Sequence, residues 1–527
     1  MAAKKIYSDE QVARFLANAG GNSVLAARLS GMSESALRTR RRDLEKKGMT
    51  ITRNEKYTGQ TSFSTAVEKE GGVTRKAKAR RMVITCAINN TPVQPDFVKM
   101  LENYCKVNRA DLIVIPLRYR NPTSPLEAST MEEEWWDKSI VPYLCDSNME
   151  FPEFRFKILG AIKTEATAVN PLTGMDAATR GLTTIMGHPQ LQMKTLTTNG
   201  DGPIFLTTTG TCTPLKFSDT RRGYQAEFHQ SLCAIVMEPD SMIGHAHMRQ
   251  LHYHETGIVD LDKVYRTTSV GKAPRVEAVV LGDEHCVFAS ESVVKATFGA
   301  GGIVSTLKPK RLIRHDVLDC HAVSHHHKLN PILQYRKLRE NMDDIFDELT
   351  KTKNHIMRTT PLDCESIIIA SNHNEHLHKW LNEADWKRDI KNAKLFFNLM
   401  YQIFDRIDQG KDDIDPFKLF CGEMDRVRFL TRNEQFMILD IDVGNHGDKG
   451  ANGTRGSRRQ YSMLPDKTVV GHSHSPGIDK GCYQTGTSGE LRMGYNDGPS
   501  SWANTHCIIY ENGKRQLITT IDGRWRA

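Results

Sequence analysis

Between residues 283 and 474 five short motifs stand in one order, and they limit this chain more than any other feature. They are Gly282-Asp283-Glu284-His285, His315-Asp316-Val317-Leu318-Asp319, Ser371-Asn372-His373-Asn374-Glu375, Asn445-His446-Gly447 and Gly471-His472-Ser473-His474. Together they supply imidazole nitrogens and carboxylate and amide oxygens in the number that two divalent cations require. Two cations roughly 3.5–4 Å apart can clamp the attacking and leaving oxygens of a phosphoester in one in-line displacement. Such a pair needs a carboxylate that bridges both ions. Mixed imidazole and carboxylate donors suit Mn, Fe, Zn or Ni better than Ca.

Each motif follows a short apolar run of the kind that forms a buried strand. Asp283 follows Glu277–Leu281, Asp316 follows Arg311–Arg314 and Asn372 follows Ser366–Ala370. His446 follows Phe436–Ile441, and His472 follows Thr468–Val470. In α/β sheets, ligands gather in the crevice at the carboxyl ends of strands. Five strand ends can therefore bring distant donors to one place. Any one piece alone carries little, since a solitary Gly-His-Ser-His is more often a loop than a site. Gly244-His245-Ala246-His247 has the same form but precedes the Asp-x-His, so it reads as a surface or structural histidine cluster.

The ordered set resembles the calcineurin-like metallophosphoesterase superfamily, over roughly residues 275–520. The resemblance implies that Asp283, His285 and His474 hold a first ion, that Asn372, His446 and His472 hold a second, and that Asp316 bridges them. It implies that His373 is no ligand but gives a proton to the departing oxygen, a role that needs an oriented imidazole. Two departures from the family pattern stand out. His315 replaces the glycine before Asp316, and Asn374, with Glu375 one position later, replaces the acid after Asn-His. Neither removes a ligand, so hydrolytic activity is expected. Two segments, Ile113–Pro122 and Gly447–Gly453, are similar to the early DNases of large tailed phages, whose catalytic half is like that of SbcD-type repair nucleases.

The chain has 527 residues, enough for two or three domains, with 39% hydrophobic and 25% charged residues. No apolar run reaches the 18 or so residues of a membrane span. The first residues carry no signal-peptide core. Eleven cysteines without a C-x-x-C pair indicate reduced thiols and a cytoplasmic location, and argue against a zinc ribbon. A net charge of +8 permits a nucleic-acid partner.

Residues 8–48 read as three helices, the first opened by Ser8, the second near Asn22–Leu29, the third near Glu34–Lys47. This front looks like a helix-turn-helix unit, with Arg38, Arg40, Arg41 and Arg42 on the helix that would enter the major groove. A basic stretch, Thr74–Arg81, reads as a tether. Residues 82–265 alternate strands and helices without Asp or His at the strand ends. This region reads as an accessory domain, a degenerate relative of the second half being one explanation. Residues 334–350 and 376–408 read as amphipathic helices. The loop Gly450–Arg459 offers Arg455 and backbone N–H groups to a phosphate.

The expected architecture is α/β, in four parts. A helix-turn-helix domain (1–50), a basic linker (51–81) and an α/β accessory domain (82–270) precede a metallophosphoesterase domain (271–527). The expected function is a phage-encoded, metal-dependent DNase. It would use two divalent ions, with Mn first and Mg, Fe, Zn or Ni as alternatives, and act as a homo-oligomer in the host cytoplasm without a membrane partner. The competing readings are a DNA-binding regulator with an inactive phosphoesterase half, and a phosphatase that does not cut nucleic acid.

Overall fold

The apolar runs ahead of the motifs fold as strands Ala278–Val280, Arg311–Arg314, Glu365–Ile368 and Lys467–Val470 in the computed structural model. The structure describes residues 8–18, 32, 34–46, 81–119, 135–162, 164–200, 202–214, 217, 220–493 and 496–527. The run at 436–441 differs from expectation. It is a hairpin of Met437–Ile438 and Ile441–Asp442, turned at Leu439, which takes a left-handed φ of 55°.

The chain forms two compact units, Met1–Ala77 and Lys78–Ala527. In the first unit, helix Asp9–Asn18 begins with a reciprocal cap. The Ser8 N–H donates to Gln11 Oε1 at 2.9 Å, and the Gln11 N–H donates to Ser8 Oγ at 3.2 Å. Val12 and Leu16 of this helix and Leu44 of helix Glu34–Lys46 are buried. The expected helix near Asn22–Leu29 and the tether through residue 80 lie outside the described residues.

The second unit is a mixed α/β fold built on two large sheets. One has six strands. Val427–Phe429, Glu365–Ile368, Arg311–Arg314 and Ala278–Val280 run parallel, followed by the antiparallel pair Asn504–Ile509 and Arg515–Thr520. Three of the four parallel strands are buried along almost their whole length, as parallel strands covered on both faces must be. The other sheet has ten strands drawn from both sides of residue 270. Its centre is the antiparallel pairing of Gln192–Leu196 with Gly477–Asp479, Met193 facing Ile478. The expected division after residue 270 falls inside strand Val270–Lys272, and one continuous sheet crosses it. Pairing between strands about 280 residues apart leaves no local trace in periodicity.

The two halves of this unit repeat one topology. In the first, Met82–Ile88 runs parallel to Asp111–Leu117 and antiparallel to Cys233–Asp240, which pairs with His245–His252. In the second, Ala278–Val280, Arg311–Arg314, Asn504–Ile509 and Arg515–Thr520 stand in the same order and sense. The ten-stranded sheet repeats itself likewise. Asn148–Phe151, Phe156–Leu159, Thr183–Met186, Ile204–Thr208 and Gln192–Leu196 match Met437–Ile438, Ile441–Asp442, Lys467–Val470, Cys482–Gln484 and Gly477–Asp479 strand for strand.

Hydrogen bonds fix the residue correspondence. The Cys212 N–H and the Thr211 hydroxyl both donate to the Cys86 carbonyl, as the Ser488 N–H and the Thr487 hydroxyl donate to that of Asp283. A side chain on Gly187 would strike Ile115 and touch Cys86, and one on Gly471 would strike Asp283 and press on His315. Gly187-His188-Pro189-Gln190 thus stands where Gly471-His472-Ser473-His474 stands, with Cys86 in place of Asp283.

Between Arg314 and Met437 the second half carries a helical insertion with two further strands. The run 334–350 is two helices, Pro331–Glu340 and Ile345–Thr359, separated by left-handed Asn341 (φ 56°) and by Asp344, which caps the Asp347 N–H. The run 376–408 is likewise two, Asn374–Glu383 and Ile390–Asp408, split where the chain leaves helical geometry at Ala384. Periodicity alone misses these breaks because the apolar spacing continues across them. Among the described residues no helix is long and apolar enough to cross a membrane.

Candidate metal centre

The donors lie just past the carboxyl ends of neighbouring parallel strands, on backbone of unusual conformation. His285, Asp316, His472 and His474 have φ of 41°, 41°, 74° and 57°. Non-glycine residues avoid this left-handed region, at a cost of about 1–3 kcal/mol each, and strain of this kind gathers at functional sites. Gly471 holds its place for a steric reason, since a Cβ there would run into the Asp283 carboxylate.

Donor atoms of Asp283, His285, Asp316 and His474 all lie within 4.8 Å of one another, and all four residues are buried. His285 Nε2 and His474 Nε2 are 3.0 Å apart, and His474 Nε2 is 3.0 Å from Asp283 Oδ2. Neither carboxylate oxygen of Asp283 has an aligned hydrogen-bond donor among the described residues. Imidazole nitrogens and an unsatisfied carboxylate turned toward one point, away from water, are a costly arrangement that a cation relieves.

A second group joins Asp283 and His446 to His315. His446 Nε2 is 3.1 Å from Asp316 Oδ2, so Asp316 faces both groups. The Asn372 Oδ1 is buried without a hydrogen-bond partner among the described residues, and the next N–H, of His373, points to Asp316 Oδ1 at 3.4 Å. The His472 ring lies 5.3 Å from that of His446. The first expected set thus converges tightly. In the second, the rings of His315 and His472 lie equally close to that of His446, at 5.4 and 5.3 Å. It is His315 whose donor nitrogen groups with those of Asp283 and His446, with 3.3 Å between the Nδ1 atoms of His446 and His315.

His373 stands beside the cluster. Its Nδ1 lies 3.2 Å from the backbone oxygen and 3.2 Å from a carboxylate oxygen of Asp319, whose Oδ1 is also 2.8 Å from His285 Nδ1. Burial alone favours a neutral His373 ring. The carboxylates of Asp316 and Asp319 outweigh it and push the group up to about 10. Asp319 is buried too, yet His285 and His373 hold its carboxyl far below the ordinary range. Burial pushes His315 down to about 4 and lowers His472 and His474, which keeps these nitrogens unprotonated and able to donate electron pairs. The donor set therefore fits divalent cations of the Mn, Fe or Zn kind.

Asp319 is a residue that sequence reading passed over, although the Asp-x-x-Asp spacing contained it. Further out, buried Arg314 holds Glu284 through two contacts of 3.0 and 2.8 Å, and His355 Nε2 lies 3.1 Å from Glu284 Oε2. Glu284 lies between Asp283 and His285, so this network fixes the backbone that carries both.

The remaining sequence candidates lie elsewhere. Arg40 pairs with Asp9 at 2.6 Å, and Arg42 is exposed. Arg41 is half-buried on the same helix, while the Arg38 side chain is outside the described residues. Arg455 is exposed on the turn after Ala451–Gly453. Of the two readings of His245 and His247, the structural one fits and the surface one does not. They are buried in strand His245–His252, with His247 Nε2 3.4 Å from Asp240. Among the described residues every group of three or more His, Cys, Asp or Glu donors lies in the second half. In the first half the matching positions hold Cys86, Ile115 and Gln190, and His188 is tied to the Glu165 carbonyl and the Gln190 N–H.

Protein A1 of Escherichia phage T5 is 30% identical over 467 residues, which cover 85% of this chain and 83% of that protein. The chain belongs to the Protein A1 family. A match over 85% of the chain takes in the greater part of both halves. No protein-family model matches the chain. No solved structure matches it either.

Proposed function

We propose that this Protein A1 relative is a metal-dependent DNase that hydrolyses phosphodiester bonds at the centre built from Asp283, His285, Asp316, Asn372, His446, His472 and His474. The observation that carries the reading is the convergence of four buried donors, Asp283, His285, Asp316 and His474, with neither oxygen of Asp283 met by an aligned hydrogen-bond donor among the described residues. Asp283, His285 and His474 would hold one ion and Asn372, His446 and His472 another, with Asp316 between them and His315 close to the second. Two ions would polarise the scissile phosphate and stabilise charge on the entering and leaving oxygens.

The chain's own part is proton transfer and orientation. Asp319 accepts from His373 Nδ1–H and so leaves Nε2 to carry the proton that the departing oxygen takes. The same carboxylate fixes His285, so one residue aligns the proton donor and a ligand. Strand ends bound into the six-stranded sheet keep these groups from drifting apart.

DNA is the proposed substrate because the helix Glu34–Lys46 presents basic residues and Arg455 stands exposed after His446. A homo-oligomer is the proposed assembly, supported by Phe397, Tyr401 and Phe404 exposed along helix Ile390–Asp408. The host cytoplasm is the proposed location, supported by eleven free cysteines.

The test is incubation of linear and closed-circular duplex DNA with Mn²⁺, with Mg²⁺ and with EDTA. Metal-dependent loss of DNA that EDTA stops is expected. Loss of both forms identifies an endonuclease, and loss of the linear form alone identifies an end-dependent exonuclease. Turnover of a small chromogenic phosphodiester with DNA left intact would overturn the substrate assignment.

A further inference from the structure

Beside the centre, on the insertion that the first half lacks, three more histidines meet. Donor nitrogens of His325, His326 and His376 lie within 4.8 Å of one another. His325 and His326 belong to the short 3-10 turn His325–His327, with ring centroids 3.8 Å apart. His376 lies in helix Asn374–Glu383, its ring 5.1 Å from His325 and 6.0 Å from His326. The Nδ1 atoms of His325 and His376 are buried and have no hydrogen-bond partner among the described residues. His326 is exposed, so the cluster opens to solvent on that side.

We propose that His325, His326 and His376 form a third divalent-cation site, separate from the centre at Asp316. Three imidazoles without a carboxylate select a Zn²⁺, Co²⁺ or Ni²⁺ type of ion over Mg²⁺ or Ca²⁺, which prefer oxygen donors. Three protein ligands leave a fourth position open, and here it faces solvent on the His326 side. Burial and the nearby His373 push His376 down to about 4, which leaves that ring neutral and able to donate an electron pair at neutral pH. The two lysines that bear on His325 do not close the site, since Lys328 is drawn 3.0 Å from Glu383 and Lys379 is exposed.

The position gives the ion a task. The His376 ring is 4.9 Å from that of His373, one helical turn away. An ion with an open position there would take an oxygen of the phosphate next to the scissile one and hold the strand against the proton donor. That task rests on the nuclease reading of the neighbouring centre, whereas the ion site does not.

The test counts ions on the full chain after chelator treatment and reloading with Co²⁺, by elemental analysis and visible absorption. The His325→Ala/His326→Ala double variant should bind one ion fewer per chain than the wild type. His376→Gln, which keeps the helix, should show the same loss. Asp316→Ala should lose ions from the neighbouring centre and keep the one at His376. Equal counts in the wild type and the double variant would overturn the proposal. An unchanged count in Asp316→Ala, with one ion still lost in the double variant, would instead sink the reading of the neighbouring centre and leave this site standing.

Discussion

Asp319 shows how much one carboxylate can control. It contacts both His285 and His373, so its loss should free two rings at once. Asp319→Asn keeps the shape but weakens the hold on a charged His373. Turnover should fall by about 10²-fold, with the bound metal largely retained. Parallel measurement of kcat and metal content checks this, and a large loss of metal would make Asp319 a support for the ligands alone. Glu348 answers to pH instead. It accepts from the N–H groups of His321 and Ala322 at 3.0 and 2.9 Å, and burial, reinforced by Asp319, pushes its carboxyl up to about 7 from an ordinary 4.5. A raised carboxyl favours the folded state while protonated. Its contribution is full below about pH 4.5 and is lost as the pH rises through about 7. Melting temperatures across that interval should fall through this group, and Glu348→Gln should flatten the fall. At this scale the sequence is readable for the donors that the fold gathers, Asp283, His285, Asp316 and His474, because D-x-H and G-H-x-H stand out as patterns. It is poor for the groups that orient them, since Asp319 and Glu284 stand inside the motifs with nothing in the spacing to mark what they hold, and Arg314 and His355 reach Glu284 from other elements.

Elements tell a different story. The strands before each motif are legible because buried parallel strands are short, continuous and apolar. The breaks at Asn341 and Ala384 are not, because they depend on a left-handed residue and a cap rather than on spacing. The strand Arg311–Arg314 also carries an oddity, a fully buried arginine that closes on Glu284, Thr359 and Ser366. Arg314→Ala should strand Glu284 without its counter-charge and destabilise the fold by about 3–5 kcal/mol in urea unfolding. A loss under about 1 kcal/mol would mean that His355 alone satisfies Glu284. Gly471→Ala should be worse for function than for folding. The added methyl presses on the Asp283 carboxylate and on His315, so metal affinity should drop more than the melting temperature does.

The larger unit, Lys78–Ala527, is two copies of one framework, and among the described residues the donor groups all lie in the second copy. The relationship was open to suspicion from alternating strands and helices, yet the decisive signal is small. Thr209-Gly210-Thr211 repeats as Thr485-Gly486-Thr487, and Gly187-His188 repeats as Gly471-His472. The copies are joined through the pairing of Gln192–Leu196 with Gly477–Asp479, and Gln516 Nε2 reaches the Gln250 carbonyl at 2.9 Å. A fragment of residues 271–527 would expose both the broken sheet edge and this buried seam. It should show no cooperative unfolding transition, although it holds every proposed ligand. A sharp melt from that fragment would mean that the first half is an attachment and not part of the framework.

The measurement that bears most directly on the proposed centre sets wild type, Asp316→Ala and His373→Ala side by side, with Mn²⁺-dependent DNA hydrolysis and metal content read on each. Asp316→Ala should lose both metal and turnover, and His373→Ala should keep its metal and lose turnover. Near-full hydrolysis by Asp316→Ala, with its metal intact, would contradict the assignment of this centre.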